Sequence, residues 1–338
     1  MRVASLIIEG QVNSIYRSLI PMEALAQRGH QVHVEERNAV PDPRRFLDFD
    51  VIHMWRCYHE PMLRLARLLR AEGVPIVWDN DDDLTSIPKN NVGYKRVGGL
   101  SGQRQLADMT RMMRMASIVT APSEALADRF RERSGADVRV IENYLPDRFV
   151  PPLRRLPRRG VSIGWLAALE HRHDYELLRL RETFQALLER RPEVVLTTVG
   201  LNLAFDHPRY RHITITPYGE LPALLSQFDL ALAPLADIPF NRSRSNVKLK
   251  EYAAMGVPWL ASPIGPYAGM GADEGGMLVP DDGWLEALDR LVTDGALRRR
   301  LAQAAGTWSQ RETIAHHVEE WESVLQDAIT QTQTAGPA

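Results

Sequence analysis

The sequence predicts an α/β protein of two domains, each a parallel sheet covered by helices on both faces. Three observations predict it. Short apolar runs alternate with helix-periodic segments at regular intervals. A stretch rich in proline and arginine, Pro146–Gly160, interrupts that rhythm once, after which it begins afresh. The chain has 338 residues, long for one domain, and its 44% hydrophobic and 25% charged residues let each half bury a core.

In the first half, Val3–Ile8 is a continuous apolar run followed by Gly10, a buried strand and its turn. Ser18–Arg28 has helical spacing and stops at Gly29. Strands follow at Gln31–Glu35 and Val51–Trp55, then a helix at Pro61–Arg70 and a strand at Val74–Trp78. Gln103–Met115 is a helix, Ile118–Ala121 a strand, Glu124–Arg133 a helix capped by Ser123, and Val138–Ile141 the closing strand. His53 and the methionines Met112, Met113 and Met115 read as packing residues.

Pro146, Pro151, Pro152 and Pro157 stand among Arg154, Arg155, Arg158 and Arg159 and read as a solvated linker. The second alternation has strands at Val161–Gly164, Val194–Val199, Ile213–Thr216, Leu230–Ala233, Trp259–Ala261 and Met277–Val279. Its helices are Tyr175–Arg190, Leu221–Gln227, Val247–Met255, Gly283–Asp294, Ala296–Trp308 and about Thr313–Gln331. The expected domains are 1–150, 151–312, and 313–338 as a helix able to cross back to the first domain plus a polar tail. Ligands of open α/β sheets bind beyond the carboxyl ends of the strands, so a cleft between the two halves is the expected site.

A net charge of -2 provides no global field for nucleic acid or anionic membrane. Cys57 is the single cysteine and has no internal disulfide partner, which fits a reducing compartment. The opening MRVASLIIEG is too short and too quickly acidic for a signal peptide, and no apolar run reaches the roughly 20 residues of a membrane span. A cytoplasmic location follows as the expectation, with room for a peripheral membrane contact.

The sharpest chemical signal is FDLALAPLADIPFNRSRSNVKLKEYAAMGVPWLAS, Phe228–Ser262. A strand runs into a polar loop that opens a helix near Asn246, with Ser245 as the expected N-cap. The free N–H groups and partial positive charge of that tip, through Ser245, Asn246 and Val247, suit a diphosphate. Lys248 in the first turn reaches the same phosphates, and Glu251, one turn on, is placed to accept from two ribose hydroxyls. Taken singly, Ser245 also reads as a plain cap, and Lys248 and Glu251 as a surface pair.

This stretch resembles the donor-site region of GT-B-fold nucleotide-sugar glycosyltransferases, in particular the retaining group called glycosyltransferase group 1. EYAAMGVP sets Glu251, Gly256 and Pro258 on that family's ribose-binding pattern. Where the family usually carries a second Glu at the donor sugar, Ser243 stands here. VSIGWLAALEHRHDYELL resembles the first strand and loop of the family's C-terminal domain; Gly164 and Trp165 would admit the diphosphate, with Arg172 as a basic partner, while His173 and Asp174 hold the loop. PYGELPALLSQFDLALAP resembles the nucleobase loop, with Tyr218, and VIENYLPDRF carries the recurring Asn143.

The resemblance implies two Rossmann-like domains facing a central cleft, a nucleotide-diphosphate sugar as co-substrate, and transfer to an acceptor hydroxyl with retention. On the acceptor side it implies Gly10 and Arg17, and the run VPIVWDNDDDLTSIP puts Asp81 where the family has a His beside the reacting carbon. Asp81, with Asp79, is then the catalytic expectation beside Lys248, and Asp82 shapes the acceptor side. Asp79-Asn80-Asp81 also matches the D-x-D metal motif of another transferase fold, with oxygen ligands suited to Mg²⁺ or Mn²⁺. The second-half signature favours leaving-group neutralisation by the helix tip and Lys248, so no required metal is expected. Two rival readings are a sugar-nucleotide epimerase on the same fold and a non-catalytic sugar-nucleotide binding protein.

Overall fold

The computed structural model describes residues 1–8, 14–36, 42–89, 94, 99–149, 159–214 and 216–335. It contains two six-stranded sheets, parallel throughout. The first comprises β1 (Arg2–Ile7), β2 (Gln31–Glu36), β3 (Val51–Trp55), β4 (Ile76–Asp79), β5 (Ile118–Ala121) and β6 (Val138–Val140) in the order β2-β1-β3-β4-β5-β6. The second comprises β7 (Val161–Ala167), β8 (Val194–Gly200), β9 (Tyr210–Ile213), β10 (Leu230–Ala233), β11 (Trp259–Ala261) and β12 (Gly276–Leu278) in the order β12-β11-β10-β7-β8-β9.

Central strands are buried on both faces, as covered parallel sheets require: β3, β4, β5 and β10 have no exposed residue. Each order reverses once, between β1 and β3 and between β7 and β10, where Val3 pairs with both Val32 and Val51, and Ile163 with both Leu196 and Leu230. The two switch points are where doubly wound sheets open a crevice.

The chain returns to its first half before it ends. Leu145 N–H donates to Glu312 O at 2.9 Å and Ile314 N–H to Leu145 O at 2.8 Å, which leads the last helix, Val318–Ala335, onto β3, β4 and the helix Ile20–Gln27. One apolar cluster therefore runs across both halves, joining Leu25, Tyr144 and Trp321 to Leu249, Tyr252 and Trp308.

Two expected elements differ. The helix expected over Tyr175–Arg190 is two helices, Arg172–Leu177 and Leu180–Arg190, because Arg179 takes a left-handed φ of 52° between them. The strand expected at Ile213–Thr216 lies three residues earlier, at Tyr210–Ile213. Most of the expected linker, and Gly10, lie outside the described residues.

Candidate active site

Loops from the carboxyl ends of both sheets line one cavity of about 330 Å³, within the range of small-molecule sites. From the first half come Tyr16, Asp81, Asp82 and Asn143; from the second come Leu166 near the end of β7 with Ala168, Glu170 and His171 beyond it, Val199 and Gly200 at the end of β8, and Arg244, Ser245, Val247, Lys248 and Glu251 after β10.

The helix Val247–Ala254 presents its N-terminus here. Its N-cap is Asn246, one residue later than expected, and no side chain caps it. Asn246 Nδ2 instead donates to Glu142 Oε2, from the first half of the chain, at 3.2 Å, and Ser245 Oγ accepts from Asn143 Nδ2 at 3.1 Å. Val247 and Lys248, in the first turn where helix amides lack intrahelical partners and carry partial positive charge, line the cavity.

Lys248 Nζ donates to Leu166 O and to His171 Nε2, both at 2.7 Å. Burial, then the charge of Arg244, bring the ammonium down to about 8. Burial and the adjacent Lys248 and Arg244 charges bring His171 down to about 4, so the imidazole is neutral at pH 7. Arg244 Nη2 pairs with Glu170 Oε1 at 3.0 Å, and its buried Nη1 has no hydrogen-bond partner among the described residues. Although burial opposes ionisation of Glu170, the charges of Arg244, His171 and Lys248 hold it at about 2.

Glu251 sits one turn deeper. Burial lifts its carboxyl to about 7, against the opposing pull of Tyr16 and Lys248. Tyr16 donates its hydroxyl to Glu251 Oε1 from the π-helical turn Ile15–Leu19 and stands edge-on to Tyr218, with ring centroids 5.6 Å apart. Opposite, Asp81 accepts from Trp55 Nε1 at 3.2 Å and Arg56 Nε at 2.8 Å, and Arg56 also pairs with Asp82. Arg56 follows β3 with a φ of 53°, a strained non-glycine conformation of the kind found at functional sites. Burial raises the Asp81 carboxyl, with Asp82 and Asp79 reinforcing and Arg56 opposing.

Residues 160–294 match the family described as glycosyl transferases, group 1. The match lies wholly within the second half of the chain, around its six-stranded sheet. No curated protein matches by sequence. Among solved structures, the chain resembles the sucrose-phosphate synthase of Thermosynechococcus elongatus at 14% identity and TM-score 0.68, over 98% of this chain and 100% of that one. It resembles Anabaena HepE, solved with UDP and glucose, at 15% identity and TM-score 0.70, over 97% and 100% of the chains. A UDP-N-acetylglucosamine 2-epimerase structure from Listeria monocytogenes matches at 12% identity and TM-score 0.60, over 98% of each chain. These likenesses establish the GT-B architecture of the chain.

Its cavity collects Asp81, Asp82, Tyr218, Ser245, Val247, Lys248 and Glu251 from the expected site residues, and Asn246 stands directly behind. Six others lie elsewhere. Arg17 is fully buried: its guanidinium embraces Asp79, with Nη2 2.5 Å from Oδ2, donates to Ile141 O and Asn143 Oδ1, and lies over the Trp321 ring. Asp79 also accepts from Thr120 Oγ1 at 2.6 Å, so both are interior partners outside the cavity lining, and Asp79 and Asp81 are committed to different arginines.

Gly164 lies inside β7, where its missing side chain admits the Phe228 ring, and Trp165 packs in the core against His171 and Phe184. Arg172 is exposed and outside the cavity, and Arg244 fills the basic position instead. Ser243 is buried, its carbonyl accepting from Ser123 Oγ at 2.9 Å. Tyr16, Arg56, Glu170 and Arg244 are the lining or supporting residues that sequence reasoning missed. Only Arg244 left a trace, as a basic residue two positions before the cap in NRSRSN.

Proposed function

We propose that this chain transfers a glycosyl group from a nucleotide-diphosphate sugar to an acceptor hydroxyl, with retention and without a required metal. One observation carries the reading: an uncapped helix tip, Lys248 and Glu251 converge on the cavity at the switch point of the second sheet. The tip and Lys248 take the departing diphosphate, whose growing charge such preorganised donors stabilise. Glu251 takes the ribose, Tyr218 the nucleobase side, and Asp81 with Asp82 the acceptor, their geometry held by Arg56. The UDP in the HepE structures recommends a uridine donor as the first trial. Among the described residues no helix is long and apolar enough to cross a membrane. A cytoplasmic location, no nucleic-acid partner and a domain boundary near residue 150 complete the reading.

The test is turnover of a panel of UDP-sugars with and without candidate acceptors. Lys248→Ala is expected to lower kcat by about 10²-fold, the scale seen when one transition-state donor is removed. Asp81→Ala is expected to lose acceptor-dependent turnover while retaining UDP binding. Full transfer by Asp81→Ala overturns the acceptor-side role. Donor consumption that needs no acceptor selects the epimerase alternative.

A further inference from the structure

Lys248 ends a chain of buried side chains that leads away from the cleft. Its Nζ lies 2.7 Å from His171 Nε2, and His171 Nδ1 lies 2.7 Å from Asp174 Oδ2. The other oxygen of Asp174 accepts from Ala236 N at 2.9 Å and Asn241 Nδ2 at 2.7 Å. An ammonium only donates, so Nε2 must accept; the ring proton therefore sits on Nδ1 and goes to the carboxylate. One tautomer alone satisfies the whole chain, and no solvent competes: His171 is 2% and Asp174 0% exposed.

We infer that His171 and Asp174 are positioning residues for the Lys248 ammonium. The carboxylate sets the imidazole tautomer, and the neutral imidazole holds Nζ against the cavity wall where the leaving group departs. This rests on the proposed role of Lys248.

The charges facing the pair come from several elements. Arg244, from the loop before the helix, repels both; Glu170, Glu251 and Asp174 favour the ammonium; Asp81 and Asp82 face the cavity from the opposite wall. His173 Nε2 lies 3.3 Å from Asp174 Oδ1. With burial and Arg244 opposing the cation, a well-aimed neutral acceptor keeps it charged near pH 7.

The chain has four lysines, Lys89, Lys95, Lys248 and Lys250, so NMR titration of protein labelled at lysine Cε resolves Lys248 without any ligand. The wild type is expected to titrate near 8. His171→Leu and Asp174→Asn are each expected to lower that midpoint by about one pH unit, the second by presenting N–H to His171 and turning Nε2 into a donor. His171→Gln, which keeps an acceptor, is expected to restore it. Should Asp174→Asn not fold, the two His171 variants decide. An unmoved Lys248 midpoint in His171→Leu overturns the inference.

Calorimetry with UDP from pH 6 to 9 separates this from the function itself. The alkaline loss of affinity is expected to move to lower pH in His171→Leu and to return in His171→Gln. If Lys248→Ala binds UDP as the wild type does at every pH, the diphosphate role fails, whatever the lysine titration shows.

Discussion

Burial of the Glu251 carboxyl brings its titration up toward neutral pH, so a proton competes there with the proposed ligand. The ordinary carboxyl value is 4.5, and burial raises it to about 7 while Tyr16 and Lys248 oppose. Between those values the folded chain binds more protons than the unfolded one, so this group's contribution to stability falls as pH rises from 4.5 to 7. Glu251→Gln has no proton to lose. Relative to wild type it is expected to gain on the order of 3 kcal/mol between pH 4.5 and pH 8, measured by urea unfolding at both ends. It should also lose about tenfold in UDP affinity at pH 7.5, since an amide accepts ribose hydroxyls at one atom only. A gap between variant and wild type that is constant with pH contradicts the buried-carboxyl account. The pair of Arg17 and Asp79 teaches a related point: an ion pair sealed on both sides belongs to the interior, where removing one partner strands the other charge.

At the scale of elements, most of the fold was legible because parallel strands buried on both faces announce themselves as apolar runs. The helix Val247–Ala254 was legible for the same reason, with its polar loop ahead and Gly256 behind. The less legible features depend on partners distant in sequence. Ser245 reads as a cap until Asn143, 102 positions earlier, takes its hydroxyl. Arg17 reads as an acceptor-side residue until Asp79, 62 positions on, receives it. Tyr175–Arg190 reads as one helix because nothing in its apolar spacing marks the left-handed turn at Arg179.

Gly164 is the sharpest case, since a glycine ahead of a phosphate loop and a glycine under a ring look alike in sequence. A Cβ there would lie 2.1 Å from Phe228 Cδ2. Gly164→Ala is therefore expected to cost about 1–3 kcal/mol by overpacking, seen in urea unfolding, with UDP affinity of the folded protein unchanged. Weakened UDP binding at unaltered stability would instead restore its expected place at the diphosphate.

For the whole molecule, the question is what ties the two halves together across the cavity. Several bonds cross it: Asn143 to Ser245, Glu142 to Asn246 and Lys250, Ser123 to the Ser243 carbonyl, and Tyr16 to Glu251. Lys250 is fully buried between Glu142 at 2.7 Å and Glu312 at 2.8 Å, over the Tyr144 ring, and so belongs to the interior rather than to the cavity. The Tyr16 bond differs from these because its acceptor is the group assigned to ribose. Glu251 has two oxygens and Tyr16 takes one, so a nucleotide that donates both ribose hydroxyls competes with it. Tyr16→Phe keeps the ring against Tyr218 and deletes the competing hydroxyl. It is expected to raise UDP affinity about five- to tenfold, the equivalent of one hydrogen bond of about 1 kcal/mol no longer lost on binding, and to expand the free protein in solution scattering. A fall in affinity would mean that Tyr16 stays on Glu251 and shares the nucleotide, making the first domain part of the donor site rather than its closure.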